Sequence, residues 1–390
     1  MNRLRVAPAM AGNAKVISLP GDGVGKEVVA AAQVVLEAAQ ERHGFHLDVQ
    51  HVDCGAQYYQ KTGQEWAEGG LAACKDADAV LLGAVGWPGV SLPDGNIAGW
   101  NVIFGLRLGL DLYANVRPCK LYPGVPHKVS EKFMQVWSPE NVDMVIFREN
   151  TEGSYTPTRG MLTRAGIDEV AIDSRVITRK GATRIAQKAF EMAEARAKGR
   201  KASGKVHPSG EKHAKVTCID KSNVRAGCRL FRACYDEVGA HFPHVTRDYA
   251  YVDAFTQSLV RNPEWYDVGV APNMLGDIVT DLAAVLQGGM GMAASGNIGD
   301  KHAMFEPVHG SAPKHAGKDV INPYAAILTA GMMLEHVGHK KSDKRLLAGA
   351  NAIEAAVQKC LAERVFTYDL GGSVKTSGVG QAVAKAVKSA

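Results

Sequence analysis

"VISLPGDGVGKEVVAAA", residues 16–32, passes from a short apolar strand through a glycine-rich turn into a helix. A dinucleotide-binding fingerprint at such a turn is G-x-G-x-x-G: one glycine for the tight turn, one for close approach of a pyrophosphate, one for helix packing on the strand. Here Gly21, Gly23 and Gly25 give G-x-G-x-G, and Lys26 stands where the third glycine would fall. Glycines also collect at strand-to-helix turns simply because the backbone needs positive φ. The turn leaves both readings open, and the rest of the chain decides between them.

Outward from this turn, strand-like and helical segments alternate. Strands are expected at 15–19, 46–52 and in the buried run "ADAVLLGAVG" (77–86), with helices near 24–42 and 69–75. Then come "VDMVIFRE", a helix near 180–197, "KVTCID", a helix near 226–237, "HVTRDYAYVD" and "YDVGVAPN", before closing helices at 323–334 and 343–361. Such alternation predicts an α/β chain with a largely parallel sheet. One stretch differs: residues 195–215, "ARAKGRKASGKVHPSGEKHAK", lack apolar periodicity and read as a solvated basic loop or arm. It has no interleaved aromatics for base stacking, and the expectation is no nucleic-acid partner.

The 390 residues suffice for two domains, and 46% hydrophobic with 22% charged residues is ordinary for a water-soluble globular chain. Apolar runs such as "AAILTAGMML" (325–334) are too short to span a bilayer, and the N-terminus lacks a signal-peptide core, so a cytoplasmic location and no membrane partner are expected. The seven cysteines form no C-x-x-C pair and are expected to be reduced. A net charge of +5 suits a pocket that gathers cations for a polyanionic small molecule.

Three constellations carry chemistry. In "APNMLGDIVTDLAAVLQGG", Asp277 and Asp281 stand four apart on a helical segment, so both carboxylates share a face. All-oxygen ligation of this kind suits Mg²⁺ or Mn²⁺. Arg107 and Arg117 flank "LGLDLYANV" and Arg148 follows "VDMVIF"; their planar forks match carboxylates. Tyr155 in "RENTEGSY" and Lys221 in "CIDKSNV" are proton-transfer candidates. The long Gly/Pro/His loop "MFEPVHGSAPKHAGKDVINP" (304–323) has the length of a functional loop.

"LPGDGVGKEV", "LRLGLDLYANVRP", "FRENTEGSY", "DKSNV", "YVDAF", "NMLGDIVTDL" and "FEPVHGSAPKHAGKDVINP" follow one another as in the metal-dependent β-decarboxylating dehydrogenases. The chain resembles this family, which includes isocitrate, 3-isopropylmalate, homoisocitrate and tartrate/D-malate dehydrogenases, over nearly its whole length. The resemblance implies an isocitrate/isopropylmalate dehydrogenase-like fold and not a true Rossmann domain, with the glycine turn only at the edge of the cofactor site. It implies a large domain from residues 1–112 plus 288–390, carrying a cofactor loop at 305–323. A small domain, 113–287, would hold the dimer contacts and the basic arm. The implied assembly is a homodimer with shared active sites.

Position by position, the resemblance makes Arg107, Arg117 and Arg148 the carboxylate clamp, Asp277 and Asp281 metal ligands with Asp253 contributed across the dimer, Lys221 the acceptor of the C2 hydroxyl proton, and Tyr155 the acid that protonates the enol. None of these is lost, which weighs against the alternative of a non-catalytic regulatory subunit. For the cofactor it implies His309, Gly310, Ser311, Ala312, Lys314, His315, Ile321, Asn322 and Tyr368. Lys314 stands where NAD-dependent members carry Asp, and with His315 and Tyr368 it favours NADP over NAD; Gly372 departs from the Arg of NADP-dependent members. For the substrate, Asn101 and Ile103 replace the Ser-x-Asn pair of isocitrate enzymes, and Trp100, Ile103 and Phe104 offer no charge to a third carboxylate. An apolar or absent C3 substituent is expected, as in 3-isopropylmalate or D-malate/tartrate, with NADP-dependent isocitrate oxidation as the alternative.

Overall fold

The computed structural model describes residues 13–204, 206–207 and 214–389. The first part of the chain runs β1 (Asn13–Gly21), α1 (Gly25–His43), β2 (His46–His51), α2 (Ala56–Thr62), α3 (Gly70–Asp76), β3 (Ala79–Ala84), α4 (Trp100–Gly109) and β4 (Ala114–Lys120). Next come the hairpin β5 (His127–Val129) and β6 (Lys132–Met134), β7 (Asp143–Glu149) and a second hairpin, β8 (Arg159–Arg164) with β9 (Ile167–Asp173). The middle continues with α5 (Arg179–Ser203), β10 (Ala214–Asp220), α6 (Ala226–Gly239), β11 (Val245–Tyr251), α7 (Val252–Arg261), β12 (Val268–Ala271) and α8 (Asn273–Leu286). The end is β13 (Ala294–Ile298), β14 (Ala303–Pro307), α9 (Tyr324–Lys341), α10 (Lys344–Ala362) and α11 (Thr376–Ser389).

One 10-stranded sheet runs through the molecule in the order β11-β10-β12-β7-β4-β13-β14-β3-β1-β2. Both ends are parallel, while β7, β4, β13 and β14 pair antiparallel in the middle. Strands such as β3 and β10 are buried along their whole length, which is why they read as continuous apolar runs and not as alternating ones. On one end of the sheet α1, α9, α10 and α11 pack through Val28, Val35, Ile327, Ile353 and Val383. At the other end α5 and α6 bury Ile185, Phe190, Phe231 and Tyr235.

The basic stretch corrects the loop expectation. Helix α5 continues through Ala195 to Ser203 and stops at Gly204, whose φ of +68° lets its N–H cap the last turn. Alanine, lysine and arginine are strong helix formers, and here the helix has an anchor: Arg196 and Arg200 both bond the buried Asp267 carboxylate, at 2.6 and 2.7 Å. Residues 205 and 208–213 of the stretch lie outside the described residues, and Ala214 and Lys215 already belong to β10. All seven cysteines are free and buried, as expected. Among the described residues no helix is long and apolar enough to cross a membrane.

Candidate active site

The opening turn serves packing first. Asp22 is fully buried and accepts hydrogen bonds from the backbone N–H groups of Ala56, Gln57 and Gly86 at 2.7–2.8 Å. A Cβ on Gly23, at φ +55°, would lie 2.1 Å from the carbonyl oxygen of Ser311, and the N–H of Val24 donates to that same oxygen at 3.0 Å. The turn therefore holds the 304–323 loop by its backbone. Glu27, in the first turn of α1, adds a second tie by accepting from the N–H groups of Gly317 (2.9 Å) and Asp319 (2.8 Å). Sequence reasoning missed Glu27, because a first-turn acid reads only as a favourable helix-dipole charge.

Beneath this loop lies a cavity of 580 Å³ lined by His309, Gly310, Ala312, His315, Ile321, Asn322 and Tyr368, together with Lys128, Asp369 and the glycines at 288, 289 and 291. The rings of His315 and Tyr368 stack with centroids 5.7 Å apart. Asn322 donates to Asp369 at 3.1 Å and accepts from the N–H of Tyr324. The Nε2 of His309 is covered and has no partner, and desolvation holds this imidazole below its usual pKa. Two predicted residues fall outside the lining: Ser311 acts through its carbonyl, and Lys314 is exposed on the loop's outer side. Gly372 leaves no room for a side chain, since its Cβ would meet the carbonyl oxygen of Phe366 at 2.1 Å.

The arginine and aspartate clusters meet at one point. Arg117 and Arg148 come from the antiparallel neighbours β4 and β7, and Asp277 and Asp281 from the α8 face packed over them. Helix α8 begins at Asn273, which places Asp277 in its second turn. Asp277 pairs with Arg148 and lies 3.5 Å from Arg117, while Asp281 is 3.2 Å from Arg117. Thr280 and Asn115 fix the Arg117 fork at 2.6 and 2.7 Å, and Asn273 takes the Arg148 Nε at 2.9 Å. Tyr155 donates to the other Asp277 oxygen at 2.7 Å.

Burial and the neighbouring Arg107 and Arg117 lower the Arg148 pKa to about 9. Burial, then the bond to Asp277, pushes the Tyr155 phenol up to about 12. Arg107 reaches the cluster from α4, pairs with Glu306 at 3.1 Å, and keeps a buried Nε with no partner. An unsatisfied guanidinium donor beside two more guanidinium groups is what an anionic ligand would complete.

Helix α4 supplies the wall. Trp100 and Phe104 stack at 3.8 Å, flanked by the guanidinium of Arg159 over Trp100 and that of Arg107 over Phe104. Ile103 is half-buried on the same helix. Asn101 is not free: its side-chain amide and backbone N–H both donate to Glu65, which also takes the N–H of Gly99 at 2.5 Å. Glu65, a buried carboxylate at this helix start, gave no signal in the sequence, because it lies 36 residues away in a polar loop.

Lys221 and Asp253 do not join the Asp277 cluster within this chain. They pair with each other at 2.5 Å at the ends of β10 and β11, and among the described residues no three His, Cys, Asp or Glu side chains converge. The bond to Lys221 holds the Asp253 carboxyl below its usual range.

The model for the family "Isocitrate/isopropylmalate dehydrogenase" matches residues 15–383. A 3-isopropylmalate dehydrogenase of Thermobifida fusca is 39% identical over 96% of this chain and 97% of the relative. A probable tartrate dehydrogenase/decarboxylase of Agrobacterium vitis is 37% identical, with 96% and 97% covered. The crystal structure of isocitrate dehydrogenase from Methylococcus capsulatus superposes with a TM-score of 0.80 at 31% identity, covering 96% of this chain and 99% of that one. By family match, sequence identity and fold, the chain belongs to the isocitrate/isopropylmalate dehydrogenase family and is a decarboxylating dehydrogenase acting on a hydroxy group.

Proposed function

We propose that the chain oxidatively decarboxylates a (2R)-malate-type 2-hydroxy acid whose C3 substituent is apolar or absent, as in 3-isopropylmalate or D-malate/tartrate, using NADP in preference to NAD and Mg²⁺ or Mn²⁺. The convergence of Arg107, Arg117 and Arg148 beside Asp277, Asp281 and Tyr155 carries this reading. The donor set fits a hard divalent cation: two carboxylates on one α8 face, with Asp253 of the partner subunit as a third. The 580 Å³ cavity, with its His315–Tyr368 stack, fits the adenosine end of the cofactor.

When bound, a nicotinamide would supply the hydride acceptor for C2, and a divalent cation held by Asp277 and Asp281 would supply Lewis acidity at the C2 oxygen. The arginines bind and orient the substrate carboxylates, and the unpartnered Nε of Arg107 completes its hydrogen bonds on them. Lys221 of the partner subunit would take the hydroxyl proton as the neutral amine, after giving up its ion pair with Asp253 and losing its own extra proton to solvent. Tyr155 stays protonated at neutral pH, since its phenol titrates near 12, and gives its proton to the carbon that CO₂ leaves.

Exposed apolar surface supports the homodimer. The β8–β9 ribbon stands free with Met161, Ile167 and Ile172 59–68% exposed, and an isolated two-stranded ribbon is marginal in water. On α8, the helix of Asp277 and Asp281, Ile278 is 56% exposed. The buried free thiols suit a reducing cytoplasm.

Isocitrate oxidation is the second reading, favoured by the structural likeness to an isocitrate dehydrogenase. Against it stands Glu65, which occupies the Asn101 amide and places a negative charge where a third carboxylate would arrive. A turnover matrix decides: (2R)-malate, D- and L-tartrate, 3-isopropylmalate and isocitrate, each with NAD⁺ or NADP⁺ and Mg²⁺. Dominance of isocitrate refutes the substrate assignment, and dominance of NAD⁺ the cofactor assignment.

A further inference from the structure

Resting on that NADP reading, we infer that Lys128, delivered by the β5–β6 hairpin, is a specificity-determining residue that binds the 2′-phosphate of the cofactor's adenosine. Among the described side chains that line the 580 Å³ cavity, Lys128 is the sole permanent cation and Asp369 the sole carboxylate. Asp369 is already engaged: it accepts from Thr367 Oγ1 at 2.5 Å and from Asn322 Nδ2 at 3.1 Å. It keeps its negative charge but makes no ion pair with Lys128, whose ammonium bonds Glu131 instead. Lys314, the cation expected for this role, is exposed and outside the lining.

The hairpin is held in place on both sides. His127, next to Lys128, is buried; its Nδ1 accepts from the N–H of Val136 at 3.2 Å, so its Nε2 carries the proton and donates to the carbonyl of Leu286 at 3.0 Å. Phe133 on the returning strand packs against Gly371, where a Cβ would come within 3.1 Å of the ring. That contact sets the hairpin on the Tyr368–Leu370 turn. Burial and then the Asp369 charge push the Tyr368 phenol up, and the Lys128 ammonium acts on it in the opposite direction.

In this structure the ammonium bonds Glu131 at 2.6 Å across a tight turn in which Ser130 and Glu131 both have positive φ. Glu131 is 87% exposed, and an ion pair so solvated is weak. A phosphate dianion seated between Lys128 and the His315–Tyr368 stack is the stronger partner, since it carries up to two negative charges and three acceptor oxygens against the single charge of Glu131. Lys128 therefore exchanges Glu131 for the phosphate when the cofactor binds.

The test is calorimetric binding of adenosine 2′,5′-bisphosphate and of 5′-AMP to the intact protein, with no turnover involved. The wild type is expected to prefer the bisphosphate. Lys128→Met should lose about tenfold of bisphosphate affinity and leave 5′-AMP unchanged, while Glu131→Gln should tighten the bisphosphate roughly two- to threefold. If the wild type binds both ligands equally, the NADP reading fails. If it prefers the bisphosphate and Lys128→Met keeps that preference, NADP stands and the role of Lys128 is refuted. An equal loss for both ligands also refutes it, since that would mark a general packing effect.

Discussion

Asp277→Asn separates two roles that the structure superimposes on one side chain. Asp277 is the counter-ion of buried Arg148 and, at 3.5 Å, of Arg117; it is also assigned as a metal ligand. The Arg117 pair at that distance corresponds to ~5 kcal/mol at an effective dielectric of about 20. Asp277 is 31% exposed, so solvent screens a good part of this. The substitution also removes the repulsion between Asp277 and Asp281, one turn apart on α8. A net destabilisation of ~2 kcal/mol remains, which for a chain of this length lowers Tm by about 2–3 °C.

The catalytic effect should be far larger. Losing a ligand charge for the cation is expected to lower kcat/KM by ~10³ or more, about 4 kcal/mol of transition-state stabilisation. The assay pairs a thermal melt with Mg²⁺- and Mn²⁺-titrated turnover of the best substrate. A variant that melts a few degrees lower yet keeps near-normal Mg²⁺-dependent turnover would falsify the metal assignment and leave Asp277 as a structural counter-ion.

Glu65→Gln removes the buried negative charge that holds Asn101, so turnover of isocitrate relative to (2R)-malate should rise about tenfold; an unchanged ratio in parallel kcat/KM measurements would show that Glu65 does not select against the third carboxylate. Lys314→Asp should move the NADP⁺/NAD⁺ ratio of kcat/KM toward NAD⁺ by about threefold to tenfold, a modest shift because the side chain is exposed beyond the cavity lining. A constant ratio there would sink the reading of that loop. His336, packed on Phe305, is held at a pKa of about 4 by burial and by neighbouring cations, against 6.5 when free. The unfolded chain thus takes up this proton first, and stability falls as pH drops from about 6.5 to about 4, by ~2–3 kcal/mol over the window. Denaturant midpoints of wild type and His336→Leu should diverge in their pH slope across that range; parallel slopes would refute this.

Much of the site was legible because this chemistry uses residue types with few substitutes. Two carboxylates four apart on a helix share a face whatever surrounds them, and three arginines beside apolar strands already implied an acid. The glycine turn misleads for a physical reason: a close backbone approach and a phosphate cradle both demand glycine, and here the approach is to the carbonyl of Ser311. The basic stretch misled because composition cannot reveal that buried Asp267 waits for Arg196 and Arg200 and extends α5 by two turns.

By itself, then, the sequence determined the α/β alternation, the acid pair, the arginine triad and the long loop at 304–323, since all of these follow from local periodicity and side-chain chemistry. Only the tertiary structure decided which charges are free and which are spent. Glu65 claims Asn101 from 36 residues away, Lys128 arrives at the 580 Å³ cavity on a hairpin far in sequence from the 304–323 loop, and Lys221 meets Asp253 across 32 residues. Electrostatic strength depends on distance, burial and competing partners, and those are properties of the packed chain rather than of any one segment.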